Sequence, residues 1–164
     1  MRNFSSVSTV LVCFLLAPVS VSLALERKTS PVAQNQVQPK AIHRLVIQVD
    51  QNDPAVMNLA LNNATNVIEY YRAKGEDVDL DVVTYGPGLH MLRVDTSPVA
   101  DRIRALKNLA FPSKIQFSAC NNTKEGMEKK EGHPIEVMSE AVLVPSGVVR
   151  LMELQEKGWS YLRP

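Results

Sequence analysis

Strand patterns alternate with helix patterns along this sequence, and that alternation is the feature that most limits the fold. Residues 42–49 (IHRLVIQV) are rich in branched side chains, which is typical of a buried strand. Asp53 and Pro54 then supply a helix cap and a first-turn proline, and apolar residues recur at helical spacing from 57 to 71. Parallel strands need connections long enough to hold a helix. We therefore expect a three-layer α/β domain, flavodoxin-like in architecture, with a mostly parallel sheet covered on both faces.

The same pattern continues to the end of the chain. Apolar runs that are bounded by turn residues predict four more strands, at residues 78–85, 114–119, 141–144 and 159–162. Apolar residues at helical spacing and capping residues predict helices at 99–110, 121–130 and 148–157, with a short helix at 89–94. The sheet should contain about five strands.

The first 40 residues are not expected to belong to the domain. An apolar run at 7–17 follows Arg2 and precedes Ser22-Leu23-Ala24, which is the arrangement of a secretory signal peptide. The run is too short to span a bilayer comfortably, and the Val12-Cys13 pair does not resemble a lipoprotein cleavage site. We predict a signal peptide at 1–24, a flexible Gln- and Pro-rich leader at 25–40, and one domain at 41–164. The protein should be periplasmic or secreted, with no stable membrane anchor.

Charge and cysteine content limit the partners. The chain has 18 Lys and Arg against 17 Asp and Glu, and removal of Arg2 with the signal peptide balances the two. No basic face of the kind that binds nucleic acid is therefore expected. Of the two cysteines, Cys13 lies in the signal peptide, so Cys120 has no partner for an internal disulfide. Its thiol is buried, paired with another chain, or kept for chemistry.

Several polar and glycine residues follow predicted strands. In an open parallel sheet the carboxyl ends of the strands share one edge, and ligands bind in the crevice there. The sequence places at that edge a carboxylate, a thiol with its polar neighbours, and two glycine-bearing loops with a histidine. The predicted site is Cys120 as the catalytic residue, with a binding set of Asp50, Gly86, Gly88, His90, Asn121, Asn122, Thr123, Ser146 and Gly147.

Cys120 has the clearest chemistry of these residues. A helix that begins directly after it would aim free backbone N–H groups at the sulfur and favour the thiolate. A free cysteine is also one of the most buried residue types and often only packs. His90 is either a proton partner for the thiol or an exposed helical histidine, and Asp50 either orients a ligand or caps the next helix. His43 and His133 lack zinc-ligand spacing, so no metal site is predicted.

Four segments together resemble one known family. The segments are Asp50-Gln51-Asn52-Asp53-Pro54, VTYGPGL, FSACNNT and VLVPSGVVRLMELQEKGWSYLRP, which cover nearly all of residues 42–164 in order. They look like the DsrE and YchN group of small α/β proteins. That resemblance implies a flavodoxin-like domain that forms a homo-oligomer, commonly a trimer or hexamer. It also implies that a cysteine after the third strand, here Cys120, accepts sulfur as a persulfide and passes it to a partner protein.

The sequence departs from the sulfur-relay members after the cysteine. Those members usually carry a small-residue helix and an arginine pair, whereas this chain has Asn-Asn-Thr-Lys-Glu-Gly at 121–126. The leading hypothesis is an exported thiol protein that accepts or transfers sulfane sulfur through Cys120. The alternatives are a non-catalytic oligomeric binding module with a structural Cys120, and a redox thiol that forms intermolecular disulfides. No nucleotide fingerprint is present, so no cofactor is predicted.

Overall fold

The computed structural model of the protein describes residues 42–164. The predicted signal peptide, the predicted leader and residue 41 lie outside the described residues. The strands are β1 (Ile42–Val49), β2 (Asp77–Thr84), β3 (Lys114–Cys120), β4 (Ala141–Val144) and β5 (Ser160–Leu162). The helices are α1 (Pro54–Ala73), α2 (Ala100–Leu109), α3 (Asn121–Glu131) and α4 (Gly147–Glu156), with a 3-10 helix at Gly86–Leu92.

The strands form one sheet in the order β4-β3-β2-β1-β5, and all neighbours are parallel. The predicted three-layer α/β domain with a sheet of about five strands is thus confirmed. None of the helices within residues 42–164 is long and apolar enough to cross a lipid bilayer.

One face of the sheet, which we call the front face, carries most of the core. Successive side chains of a strand point to opposite faces, so Ile47 of β1, Val82 of β2 and Phe117 of β3 share this face. They pack with the buried residues of α1 and α2, including Leu61 and Ile103. The Asp53 carboxylate caps α1 by accepting the Ala55 N–H at 2.8 Å.

We call the opposite face the back face, and among residues 42–164 the helix that covers it is α4. Leu151 and Leu154 of α4 pack on Val46 of β1 and Val83 of β2, which are all buried. The polar side chains Asp81 and Ser118 also lie on this face and are fully buried. The back layer is therefore thinner and more polar than the front layer.

The 3-10 helix replaces the short helix that the sequence predicted at 89–94. It begins at the glycine turn because Gly86 has a φ of +51° and Pro87 follows it, and the Gly88 N–H donates to the Tyr85 carbonyl at 3.1 Å. It ends before Arg93 because that residue forms an antiparallel bridge with Val137.

The buried side chain of Arg93 holds this bridge in place. Its side chain is 2% exposed, and its guanidinium donates to Asp95 at 2.6 and 2.9 Å and to Glu131 at 2.7 and 2.9 Å. Its pKa is raised further by these hydrogen bonds, so it stays charged. A buried arginine with two carboxylate partners ties the end of the 3-10 helix to α3.

Acid is expected to weaken the fold through these two carboxylates. The hydrogen bonds from Arg93 lower the pKa of Asp95 from 3.8 to about 2 and also lower the pKa of Glu131. Both carboxyl groups have a lower pKa in the folded state than in the unfolded state. The stabilisation is therefore complete above the unfolded-state pKa values and is lost as the pH falls through the folded-state pKa values. Urea unfolding between about pH 5 and pH 2 should show this loss. The double variant Asp95→Asn, Glu131→Gln should have a flatter pH dependence, and an unchanged slope would contradict the assignment.

Candidate active site at the carboxyl edge of the sheet

The connection that leaves β3 and the connection that leaves β4 lie on opposite faces of the sheet. The helices that follow β1, β2 and β3 pack on the front face, where Met127 of α3 contacts the core. The helix that follows β4 crosses the back face to reach β5, beside β1. Neighbouring strands whose connections leave to opposite faces define a topological switch point, which is where open α/β sheets bind ligands. Cys120 ends β3 and Ser146 follows β4, so both lie at this point.

Cys120 lies between the starts of two helices. It is the last residue of β3 and the N-cap of α3, and it is 4% exposed. A Cβ atom on Gly147, the first residue of α4, would lie 3.3 Å from the Cys120 Cβ and 2.9 Å from the Tyr85 Cβ. Only glycine therefore lets α4 begin so close to the cysteine. The positive dipole ends of both helices therefore lie beside Cys120, and such surroundings favour an anion.

Hydrogen bonds close the loops around this point. The Asn122 N–H donates to the Pro145 carbonyl at 3.3 Å, which joins the start of α3 to the loop after β4. The Gly86 N–H donates to the Thr123 Oγ1 at 3.0 Å, which joins the loop after β2 to α3. The Ser146 hydroxyl caps α4 by accepting the Val149 N–H at 3.5 Å. The crevice is therefore narrow, and the thiol is enclosed.

Tyr85 is the neighbour that the sequence analysis missed. Thr84 of β2 is in register with Ala119 of β3, so Tyr85 follows β2 at the level of Cys120 and on the same face. Burial raises the pKa of its phenol, and the nearby charges of Asp50 and Tyr161 raise it further. Tyr85 therefore keeps its proton at neutral pH and offers an O–H donor at the edge. The signal was available in the strand register, since a residue directly after β2 must neighbour the end of β3.

Asp50 belongs to a polar group on the β5 side of the edge. Its carboxylate accepts the Gln48 amide at 3.1 Å and the Arg163 guanidinium at 2.9 Å. The Tyr161 hydroxyl donates to the side-chain oxygen Oε1 of Gln48 at 2.6 Å. The residue that caps α1 is Asp53 and not Asp50. Asp50 instead orients Arg163 and faces Tyr85. Arg163 was not singled out from the sequence because β5 is short and weakly patterned.

The other predicted residues have contacts away from the thiol. The ring of His90 bonds Thr96 through Nδ1 at 2.9 Å, and the Asn121 amide donates to Glu125 at 2.7 Å. The Asn122 side chain is exposed, and Gly88 packs against the backbone of Val49. The edge thus brings Cys120, Tyr85, Gly147 and Thr123 together with the loop of Gly86, whereas His90 pairs within its own segment.

The histidines that were set aside as metal ligands have other partners. His43 stacks on Tyr71 with 3.8 Å between ring centroids and contacts Glu76 at 2.9 Å. His133 contacts Glu131 at 3.5 Å. Within residues 42–164, no group of three or more His, Cys, Asp or Glu side chains is placed to hold a metal ion.

Comparison with known proteins supports the fold. No protein-family model and no curated protein matches the sequence. Among solved structures, the chain is similar to the protein of unknown function MTH1491 from Methanobacterium thermoautotrophicum, with a TM-score of 0.60 and 28% sequence identity. The match covers 74% of this chain and 99% of that one. The similarity therefore extends over nearly the whole of that α/β protein, whose function is unknown.

Proposed function

We propose that the protein is an exported, DsrE-like thiol protein in which Cys120 accepts a sulfane sulfur atom and passes it on. The observation that carries this proposal is the place of Cys120 at the β3–β4 switch point, against the first residue of α4 and at the cap of α3. The first residues of α3 and α4 lie against Cys120, and the thiolate is the nucleophilic form of a cysteine. The resemblance of FSACNNT and its flanking motifs to the DsrE and YchN group supports the sulfur chemistry.

The chemical step is a displacement at sulfur. The Cys120 thiolate attacks the outer sulfur of a persulfide donor, a new S–S bond forms at Cys120, and the S–S bond of the donor breaks. The donor leaves as a thiolate with the electron pair of that bond, and Cys120 becomes a persulfide. In the second step an acceptor thiolate attacks the outer sulfur of the Cys120 persulfide, and Cys120 leaves as a thiolate. The first residues of α3 and α4 lie beside the reacting cysteine.

A second candidate is a non-catalytic binding module with a structural Cys120. The observation that favours it is the 4% exposure of Cys120, together with the hydrogen bond from Asn122 to Pro145 across the crevice. In that case the cysteine fills the space beneath Tyr85 and Gly147, and a ligand binds above it. A redox thiol that pairs with another chain would need the same opening as the sulfur acceptor.

Intact mass measurement after treatment with a small polysulfide tests the proposal. We expect the native protein to gain the mass of one sulfur atom and to lose it to dithiothreitol, whereas Cys120→Ser gains none. The variant changes one atom, so it should keep the fold. Equal gain by both proteins, or no gain by the native protein, would remove the sulfur function.

Alkylation separates the two candidates. A thiol that iodoacetamide modifies in the folded protein supports transfer, because the reagent needs the thiolate to be reachable. A thiol that reacts only after urea unfolding supports the binding module. The redox role predicts a covalent dimer on a non-reducing gel. Dithiothreitol should convert this dimer to monomer, and the Cys120→Ser variant should not form it.

The proposed function also requires partners. A sulfur donor and an acceptor protein must each bring a sulfur atom to the carboxyl edge of the sheet. The homo-oligomer of three or six copies and the periplasmic or secreted location stay predictions from the sequence. Small-angle scattering and fractionation of cells that express the full chain measure them directly.

A further inference from the structure

A cleft on the back face takes no part in the proposed sulfur chemistry. It has a volume of about 420 Å³ and lies beside α4, over the middle of β2 and the start of β3. Ligand pockets in proteins usually measure about 300–1,000 Å³. None of the residues that line the cleft belongs to the carboxyl edge around Cys120. The cleft is therefore large enough for a small molecule and separate from the thiol.

A buried aspartate holds the guanidinium of Arg150 at the wall of this cleft. The Asp81 side chain is 1% exposed, and its Oδ2 accepts Nε of Arg150 at 2.9 Å and Nη2 at 2.8 Å. Ser118 donates to the Oδ1 of Asp81 at 2.7 Å, which fixes the orientation of the carboxylate. The guanidinium is therefore held along one edge by a buried and well-ordered partner.

The outer edge of this guanidinium faces solvent. A guanidinium has five N–H donors, and Asp81 accepts one from Nε and one from Nη2. Within residues 42–164 Nη1 has no hydrogen-bond partner, whereas every buried side-chain nitrogen of these residues has one, so Nη1 is open to solvent. Nη1 and Nη2 together present the pair of N–H groups that a carboxylate accepts in a bidentate contact.

The charges of the cleft favour an anion. Lys107, Lys114 and Arg150 line it with positive charge. Asp79 and Asp81 line it with negative charge, so one positive charge is in excess. Asp79 is in register with Lys114, and Asp81 is paired with Arg150. A ligand with one negative charge therefore complements the cleft.

The remaining walls offer apolar surface. Trp159 packs on Val46 and Val83 with part of its side chain and lines the cleft with another part. Val142 of β4 lines the cleft as well and is 46% exposed. An aromatic ring stacks on an indole and buries a large apolar area against it. These walls therefore favour a ligand with an aromatic ring.

We propose that this cleft binds a small aromatic carboxylate. Arg150, held in place by Asp81, donates two N–H groups to the carboxylate of the ligand, and Lys114 adds positive charge. Trp159 and Val142 contact the ring. The inference goes beyond the sulfur function and does not need Cys120 to react.

Titration of the protein with 2-naphthoate tests the proposal. The sequence has one tryptophan, so its NMR spectrum has one indole N–H signal, which belongs to Trp159. We expect this signal to shift, together with the side-chain amide signal of Gln116, which also lines the cleft. The neutral amide of 2-naphthoate should bind at least about tenfold more weakly, because it lacks the charge that pairs with Arg150. Acetate should bind at least about tenfold more weakly as well, because it lacks the ring.

Two variants on β4 locate the site. Val142 and Leu143 are adjacent and both 46% exposed, but their side chains point to opposite faces of the sheet. Val142→Glu should weaken 2-naphthoate binding about tenfold or more, because it places a second carboxylate beside that of the ligand. Leu143→Glu is the matched control and should bind like the wild type. Cys120→Ser should also bind like the wild type, whatever becomes of the sulfur function.

The absence of any shift of the Trp159 signal at millimolar 2-naphthoate would overturn the proposal. Equal affinity for 2-naphthoate and its amide, or for 2-naphthoate and acetate, would overturn it as well, and these two comparisons need no variant. Unchanged binding by a Val142→Glu protein that circular dichroism melting shows to be folded would place the ligand elsewhere and have the same consequence.

Discussion

Replacement of Gly88 by alanine is expected to destabilise the protein by more than about 3 kcal/mol. A Cβ atom at this position would lie 2.1 Å from the Val49 carbonyl oxygen, 2.6 Å from the Val49 carbonyl carbon and 2.9 Å from the Asp50 Cα. All three are backbone atoms, so no side-chain rotation relieves the overlap. The end of β1 would have to move, although β1 is held between β2 and β5.

Gly126→Ala is the matched control for this change. Gly126 lies within α3, and a Cβ atom there meets nothing within 4 Å. Alanine should stabilise this helix by about 0.5–1 kcal/mol relative to glycine. Urea unfolding of the two variants beside the wild type measures both effects. A loss of less than about 1 kcal/mol in Gly88→Ala would show that the close approach to β1 is not needed.

Replacement of Arg150 by methionine is expected to cost about 3 kcal/mol at neutral pH. Asp81 lies in the centre of the back face with its side chain 1% exposed, and two Arg150 nitrogens donate to it at 2.8 and 2.9 Å. Ser118 donates to the other carboxylate oxygen at 2.7 Å. Methionine keeps most of the volume of the arginine but leaves the Asp81 charge buried without its cation.

The pH dependence identifies the cause of this loss. Burial raises the pKa of Asp81 above its usual 3.8, while Ser118 and Arg150 act in the opposite direction. Without Arg150 the folded-state pKa rises further above the unfolded value, so protonation at lower pH favours the folded form. The deficit of Arg150→Met relative to wild type should therefore shrink as the pH falls towards 5 or so. A deficit that is constant with pH would assign the loss to packing alone.

Arg163→Met serves as the control for Arg150→Met. Arg163 forms the same kind of pair with Asp50, but the two side chains are 52% and 21% exposed. Exposed ion pairs contribute about 0–1 kcal/mol, so this variant should unfold close to the wild type. Both variants remove the arginine from one Arg–Asp pair, and the two pairs differ in burial. The difference between their free energies of unfolding therefore measures the effect of burying the aspartate.

The fold could be predicted because each layer leaves its own pattern in the sequence. The strands carry mostly branched aliphatic residues at 45–49 (LVIQV) and 80–83 (LDVV), and Asp53 with Pro54 marks the start of α1 without any tertiary information. The turn at Gly86 is different. Its glycines predict a turn, but the 3-10 helix that follows depends on the approach of Gly88 to Val49, which is a contact between distant segments.

The site could be predicted only where position along a strand decides it. Cys120 and Ser146 were placed at one edge because both follow strands of a parallel sheet. The sequence did not reveal that α4 crosses to the other face, although this crossing is what encloses the thiol between Gly147 and Tyr85. The partners of His90 and Asp50 were likewise hidden, because Thr96 and Arg163 are chosen by side-chain geometry and not by periodicity.

The position of β5 decides which contact completes the sheet. The first four strands lie in chain order across the sheet, so each lies next to the strand that precedes it in the sequence. The last strand instead returns to the first, and Tyr161 reaches Gln48 across 113 residues of chain. Without β5, the outer border of β1 would leave a row of N–H and C=O groups unpaired, which a strand of another chain could bind. The short β5 strand therefore protects the sheet from edge-to-edge aggregation along that border.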